Sequence, residues 1–389
     1  MRRAASHVDS MAQVIGIVAG EASGDLLASH LMAAIRRARP DVEFVGIGGP
    51  KMQSVGMRVL FPMEKLAVFG YVEVLRHYLE LVGIRRKLRA HFLSSRPALF
   101  IGVDAPDFNF GLEHALKKHG IPTIHYVSPS IWAWRGERIK KIRRAVTHML
   151  ALFPHEPRIY QDAGVPVTYV GHPLADMLPM HPDRAGIRET MRIPLHAKVF
   201  AFLPGSRQSE VRQLAALYIE TAKIILQSIP DARFLVPLVS RETRAIFEQA
   251  LYDCKAEELP FSLLFGHAQD AMTAADIVLV ASGTATLECA LLKRPMVITY
   301  RLNSLTWRIM RRKSYLPYFG LPNILLGRFV VPELMQSDAT PENLAQALLN
   351  LLNDGDALEQ LESIFEGLHE TLRQNTAQKA AEAVLSHLP

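Results

Sequence analysis

Five short polar segments each follow an apolar run, and together they carry most of the side chains suited to chemistry. In Gly102-Val103-Asp104-Ala105-Pro106-Asp107-Phe108-Asn109, two carboxylates and an amide stand directly behind such a run. A carboxylate partly removed from water gains proton affinity and can serve as a general base. The other reading is that Asp104 or Asp107 caps the helix running to Lys118, and one aspartate could do each job. Gly20-Glu21-Ala22-Ser23-Gly24-Asp25 offers Glu21, Ser23 and Asp25 in a tight turn, where a cap by Ser23 or Asp25 is the plainer reading of that motif alone. Its glycines lack the dinucleotide fingerprint spacing, and Gly46-Ile47-Gly48-Gly49-Pro50 fails too, because Lys51 stands where the third glycine belongs. That weakens a dehydrogenase reading.

The third segment, His125 to Arg135, places Trp132 and Trp134 just before Arg138, Lys140, Lys141, Arg143 and Arg144. Aromatics followed by a basic helix suit an amphipathic phosphate ligand, while a solvated basic face is the bland alternative. The fourth, Leu203-Pro204-Gly205-Ser206-Arg207, opens a helix near Ser209-Glu210. Gly205, Ser206 and Arg207 at a helix start suit a diphosphate, although the spacing is not that of a P-loop. The fifth, Ala281-Ser282-Gly283-Thr284-Ala285-Thr286-Leu287-Glu288, offers Ser282, Gly283 and Thr284 for phosphate and Glu288 for ribose hydroxyls. Thr284 as a cap, with Glu288 offsetting the helix dipole, would explain it equally simply. Each segment alone is weak evidence; five at five strand ends are much stronger.

The elements behind these segments follow one rhythm. Apolar runs occur at 14–19, 42–47, 98–103, 123–127, 149–153, 168–170, 199–203, 233–238, 262–265, 277–280 and 296–300. Continuous rather than alternating apolar runs suit parallel strands buried on both faces. Helical patterns such as 26–37, 211–227, 242–251 and 286–292 lie between them, which points to βαβ units. One sheet of eleven strands would be unusually wide. The proline-rich stretch 173–194 is the natural linker, so the expected fold is α/β, with two doubly wound Rossmann-like domains facing across a cleft. The expected domains are 11–180 and 181–350, with helices over 351–389.

Composition narrows the partners. The chain has 389 residues, 49% hydrophobic and 21% charged, which fits a soluble globular protein. Its formal charge of +6 fits anionic partners but does not demand nucleic acid. Cys254 and Cys289 are the only cysteines, too few for a disulfide framework or a four-thiolate zinc site. The chain reads as cytosolic and reduced. No apolar stretch reaches the roughly twenty residues of a spanning helix, and 12–19 reads as a first strand rather than a signal peptide. Met11 is an alternative start to Met1, leaving 1–10 as a tail.

The combination AGEASGD, GVDAPDFN, HYVSPSIWAWR, LPGSR, ASGTATLE and LPN, in that order from about Val14 onward, resembles the lipid-A-disaccharide synthase family. The resemblance implies a B-type glycosyltransferase that joins UDP-2,3-diacylglucosamine to 2,3-diacylglucosamine 1-phosphate with inversion, forming the β-1,6-linked lipid A disaccharide 1-phosphate. It implies action at the cytoplasmic face of the inner membrane and places the essential aspartate on Asp104. Glu21 and Ser23 match its first loop, and Arg207, Glu288 and Asn323 match its nucleotide site. It also leaves two arrangements for the helices over 351–389, packed back on the N-terminal domain or exchanged between the subunits of a homodimer.

Inverting transfer requires a base for the acceptor hydroxyl and stabilisation of the departing diphosphate. Asp104 is the expected base and Asp107 the second choice, with Asp25, Asn109 and His125 in the same acceptor region. No cofactor and no metal are expected. Asp354-Gly355-Asp356 has D-x-D spacing but reads as a break between helices. Val68, Val72, Leu75, Leu79 and Val82 share one helical face bordered by Arg76, His77, Arg85, Arg86, Lys87 and Arg89. That pattern is expected to face anionic lipid, although the spacing alone would serve a core helix. The rival readings are another UDP-sugar enzyme, such as an N-acetylglucosamine epimerase, and a non-catalytic nucleotide-binding scaffold.

Overall fold

The computed structural model describes residues 13–66, 74–133, 135–302, 307, 312 and 315–388; the side chains of 74–78 fall outside the description. The chain divides into two units, 1–173 with 372–389, and 174–371.

The first unit alternates strand and helix. In order these are β1 (Val14–Ala19), α1 (Ala22–Ala38), β2 (Glu43–Gly48), α2 (Pro50–Ser54), β3 (Arg58–Pro62), α3 (Val74–Ser95), β4 (Leu99–Val103) and α4 (Pro106–Lys117). There follow β5 (Thr123–Tyr126), α5 (Ile139–Ala145), β6 (His148–Ala151), α6 (Glu156–Asp162) and β7 (Val167–Tyr169). The sheet is parallel, in the order β3-β2-β1-β4-β5-β6-β7. Parallel pairing explains the unbroken apolar runs: every residue of β4 is buried, because helices cover both faces. Each such aliphatic side chain contributes about 1.5–3 kcal/mol by leaving water.

The second unit contains α7 (Pro173–Met177), α8 (Arg184–Thr190), β8 (Val199–Leu203), α9 (Gln208–Ser228), β9 (Arg233–Leu238), α10 (Arg241–Asp253) and β10 (Phe261–Phe265). It continues with α11 (Ala268–Ala274), β11 (Ile277–Ala281), α12 (Thr284–Leu291) and β12 (Met296–Tyr300). Helix Leu321–Leu326, strand β13 (Glu333–Met335) and helices Pro341–Asn353 and Gly355–Leu372 complete it. Its sheet is also parallel, in the order β10-β9-β8-β11-β12-β13.

Both orders reverse direction beside the first strand of their sheet. In an open α/β sheet, the crevice at that reversal is where a ligand can reach the carboxyl ends of the strands. It lies between β1 and β4 in one unit and between β8 and β11 in the other. Four of the five polar segments leave these four strands.

The final helix, Thr376–Leu385, belongs to the first unit. Its Ala380, Ala381 and Val384 share a core with Leu31 and Ile35 of α1. Among the described residues, no helix is long and apolar enough to cross a membrane.

Candidate active site

In the first unit the site is built around a strained turn. Asp104 and Ala105 leave β4 with φ of 50° and 42°, a left-handed conformation costly for residues with a side chain. Three backbone hydrogen bonds hold this turn. The Asp104 amide donates to the Tyr126 carbonyl at 2.9 Å. The Phe108 and Asn109 amides both donate to the Ala105 carbonyl at 3.0 Å. The turn after β1 presses against it, since a Cβ on Gly20 would lie only 2.8 Å from the Ala105 Cβ.

No side-chain cap explains these acids. Helix α4 begins from Ala105 without one, and α1 begins from Glu21 without one. Asp25 is instead buried and accepts from the amides of Gly49 (2.9 Å), Lys51 (3.0 Å) and Met52 (3.0 Å), so it fixes the start of α2. Asp107 is exposed and pairs with Arg138 at 2.7 Å. The carboxylates of Glu21 and Asp104 have no hydrogen-bond or ionic partner among the described residues. A cavity of about 380 Å³ brings Glu21, Asp104 and Asp107 together with Arg85 and the apolar Leu66, Leu81, Val82 and Phe108. Exposed Ser23 does not line it.

Asn109 and His125 do not line that cavity, and both are fully buried. Asn109 Nδ2 donates to the Asp104 carbonyl at 2.8 Å, with longer contacts of 3.4 Å to the carbonyls of Val18 and Val103. His125 Nδ1 lies 2.7 Å from Glu113 Oε1, and the Phe110 ring packs on the imidazole. Burial raises the proton affinity of Glu113, and the facing His125 opposes that shift. Glu113 was not legible as a functional candidate; its one signal is its spacing of four from Asn109, on the same inward face of α4.

Trp132 closes a second buried group. Its indole Nε1 donates to Glu156 at 3.1 Å, and Glu156 also accepts from the amides of Leu152 and Phe153, both at 3.0 Å. Desolvation nevertheless pushes the Glu156 carboxyl up to about 7. Trp134 lies outside the described residues.

In the second unit a cavity of about 360 Å³ is lined by Gly205, Ser206, Arg207, Ser282, Gly283, Thr284 and Glu288. The two helix starts that border it differ. At α9, Glu210 reaches back to accept from the amides of Ser206 and Arg207, both at 3.1 Å, and meets Arg207 Nη1 at 3.2 Å. That helix start therefore already holds a carboxylate. Tyr300 donates to the same Glu210 at 3.1 Å, and burial beside this acid pushes its phenol up to about 12. At α12 no side chain caps the helix, and the amides of Gly283, Thr284 and Ala285 have no partner among the described residues. Glu288, one turn in, accepts from Gln269 at 2.7 Å.

Asn323 is fully buried and lies outside that lining. Its amide nitrogen donates to the Val331 carbonyl (2.9 Å) and Glu333 (2.8 Å), and its oxygen accepts from the amides of Val330 (2.7 Å) and Val331 (3.1 Å). Glu333 in turn accepts from the amides of Phe319 and Gly320, and burial raises its proton affinity. This clasp shapes the loop that Ser282 ties to α12 through the Phe319 carbonyl at 3.0 Å.

The expected lipid-facing residues separate. Val68 and Val72 lie outside the described residues, as does the Leu75 side chain. Leu79 is 70% exposed, whereas Val82 is half-buried and lines the Asp104 cavity. Among the described residues, no group of three or more His, Cys, Asp or Glu is arranged to hold a metal ion.

Over residues 15–386 the chain matches the family model described as lipid-A-disaccharide synthetase. It is 63% identical over 374 residues to the lipid-A-disaccharide synthase of Methylobacillus flagellatus, covering 96% of this chain and 99% of that one. Among solved structures it is similar to the glycotransferase of kitacinnamycin (TM-score 0.62, 15% identity, 97% and 99% coverage). It is equally similar to the UDP-GlcNAc 2-epimerase of Neisseria meningitidis bound to UDP-GlcNAc (TM-score 0.62, 11% identity, 96% and 99% coverage). The fold alone thus serves both a transferase and an epimerase, and the family match separates them.

Proposed function

The chain belongs to the lipid-A-disaccharide synthase family, and from that premise we propose how its residues divide the reaction. It is a glycosyltransferase of lipid A biosynthesis with the two-domain B-type fold. It transfers diacylglucosamine from its UDP carrier to diacylglucosamine 1-phosphate and releases UDP.

The cavity beside Asp104 takes the acceptor. Asp104 removes the proton from the acceptor hydroxyl as that oxygen attacks the anomeric carbon, and the electron pair of the breaking bond leaves with the UDP diphosphate. One direct displacement inverts the carbon. The observation that carries this reading is Asp104 itself: an unpartnered carboxylate, held in a strained turn at the sheet's reversal point, beside an apolar wall suited to acyl chains. Backbone strain of this kind persists where surrounding structure enforces it, and it clusters at active sites. Asp107 is the weaker candidate because its carboxylate is already paired with Arg138. Asp25, Asn109 and His125 hold the loops, while Glu21 and Ser23 lie on the first of them.

The α12 start takes the diphosphate. Its free amides and helix dipole favour an anion, as does the guanidinium of Arg207. Ser282, Gly283 and Thr284 line this seat with Gly205 and Ser206; Glu288 takes ribose hydroxyls, and Asn323 holds the neighbouring loop. Positive charge from the protein replaces a metal in this reading, so activity should survive chelation by EDTA. Peripheral attachment to the cytoplasmic face of the inner membrane is supported by exposed Leu79 and the basic residues of α3. The homodimer rests on the family resemblance alone, and light scattering reads it out.

The test is Asp104→Asn beside Asp107→Asn, each assayed for UDP release. Asp104→Asn should abolish turnover while UDP binding and folding persist, and Asp107→Asn should retain measurable turnover. Near-wild-type turnover by Asp104→Asn removes the assignment.

A further inference from the structure

The acceptor cavity contains a charge that the transfer step does not use. Arg85 of α3 lines it together with Glu21 and Asp104. The guanidinium lies along α4, with Nη1 3.4 Å from the Asp107 carbonyl. Gly111 makes that placement possible, because a Cβ there would sit 2.9 Å from Nη1. No carboxylate pairs with Arg85 among the described residues; the nearby Asp107 side chain is engaged by Arg138 at 2.7 Å. A half-buried arginine without an acid partner, laid against a helix and facing a cavity, is poised for an anion from outside. Its planar fork of donors matches the oxygens of a phosphate.

We propose that Arg85 binds the phosphate monoester of the acceptor and sets the preference for a phosphorylated monosaccharide over a neutral one. The proposal rests on reading the Asp104 cavity as the acceptor site and adds the residue that selects among acceptors. That substrate has three chemical parts: a hydroxyl that must lose a proton, acyl chains and a phosphate. The cavity offers a counterpart to each in Asp104, in the Leu66, Leu81, Val82 and Phe108 wall, and in Arg85. Charge also orients the molecule. Glu21 and Asp104 repel a phosphate dianion while Arg85 attracts it, so the hydroxyl rather than the phosphate is left to the base.

A phospholipid headgroup offers the same phosphate chemistry, so the experiment separates the two sources. Steady-state kinetics of the full chain, Arg85→Ala and Arg85→Lys are measured in neutral detergent micelles free of phospholipid. The acceptors are diacylglucosamine 1-phosphate and the same sugar without its phosphate. Arg85→Ala should raise KM for the phosphorylated acceptor about tenfold or more, as loss of a hydrogen bond to a charged group does, with kcat and donor KM near wild type. The preference between the two acceptors should collapse, and Arg85→Lys should restore part of it. An unchanged preference in Arg85→Ala overturns the proposal, as does an equal loss with both acceptors. So does a defect that appears only when anionic phospholipid is added. Failure of the Asp104 reading is distinguishable, because Asp104→Asn acts on kcat with either acceptor.

Discussion

The side-chain amide of Asn109 donates to the backbone carbonyl of Asp104 at 2.8 Å, so helix α4 grips the strained turn from which it starts. Asn109→Ala would leave that carbonyl without this donor and open a small void. Loss of a buried partner costs about 1–3 kcal/mol. Thermal unfolding should register that loss, and kcat should fall further than donor KM rises.

Gly20→Ala tests the contact from the other side. The added methyl would meet Ala105 at 2.8 Å, well inside ordinary carbon contact. Overpacking of this kind costs about 1–3 kcal/mol, and the displaced turn should lower kcat roughly tenfold, the effect of a barrier increase near 1.4 kcal/mol. Retention of wild-type kcat would show that the two turns move independently.

Arg207→Ala and Glu210→Gln should separate affinity from scaffolding. Loss of the guanidinium should raise the KM for the UDP-sugar with little effect on stability, because the Arg207 side chain is 76% exposed. Glu210→Gln weakens the acceptor for two amides and the Tyr300 hydroxyl, and losing such a cap costs about 0.5–2 kcal/mol. Calorimetry of the two variants alongside donor KM checks the contrast.

Glu156 gives stability a pH dependence. Its carboxyl is raised to about 7 in the folded chain, above the ordinary 4.5. The native state therefore binds more protons between those values, and stability falls as pH rises through that window. The contribution is a few kcal/mol, fully present below pH 4.5 and lost above 7. Glu156→Gln should flatten urea-unfolding stability between pH 5 and 7.5. His148 works in the opposite sense: burial and His387 lower it to about 4, so its contribution is lost as pH falls from 6.5 toward 4. His148→Gln should remove that acid-side loss.

Replacing Leu79 with Ser should reduce sedimentation with anionic vesicles while leaving the unfolding temperature near wild type, since the side chain is already 70% exposed. Unchanged sedimentation would locate the lipid contact elsewhere.

The sequence made the interior legible more readily than the rims. All eleven apolar runs correspond to strands; nine lie inside their sheets, where cover on both faces demands apolar residues, and two, β7 and β10, lie at edges. The two strands with no such signal, β3 and β13, lie at sheet edges and are largely half-buried. Site segments were legible where polar residues follow buried strands. The division of labour within them was not, because it depends on residues distant in sequence. Asp25 reads as part of a tight turn but lies in the first turn of α1 and serves α2, and Asn323 stands in a family motif but clasps Glu333. Glu210 looked like the opening of a helix, yet it occupies the anion seat of its own helix start.

The closing helix Thr376–Leu385 packs on α1, whose leading turn carries Glu21 and Ser23. During synthesis the first unit must therefore wait for almost the whole chain. At about 5–20 residues per second, the part of α1 that this helix covers stays open while the entire second unit emerges, although the sheet already packs on its other apolar side chains. An early stop codon, even one that spares both sheets, would release a protein whose first loop stands on a half-covered helix. Chaperones and proteases would meet that surface before any substrate did.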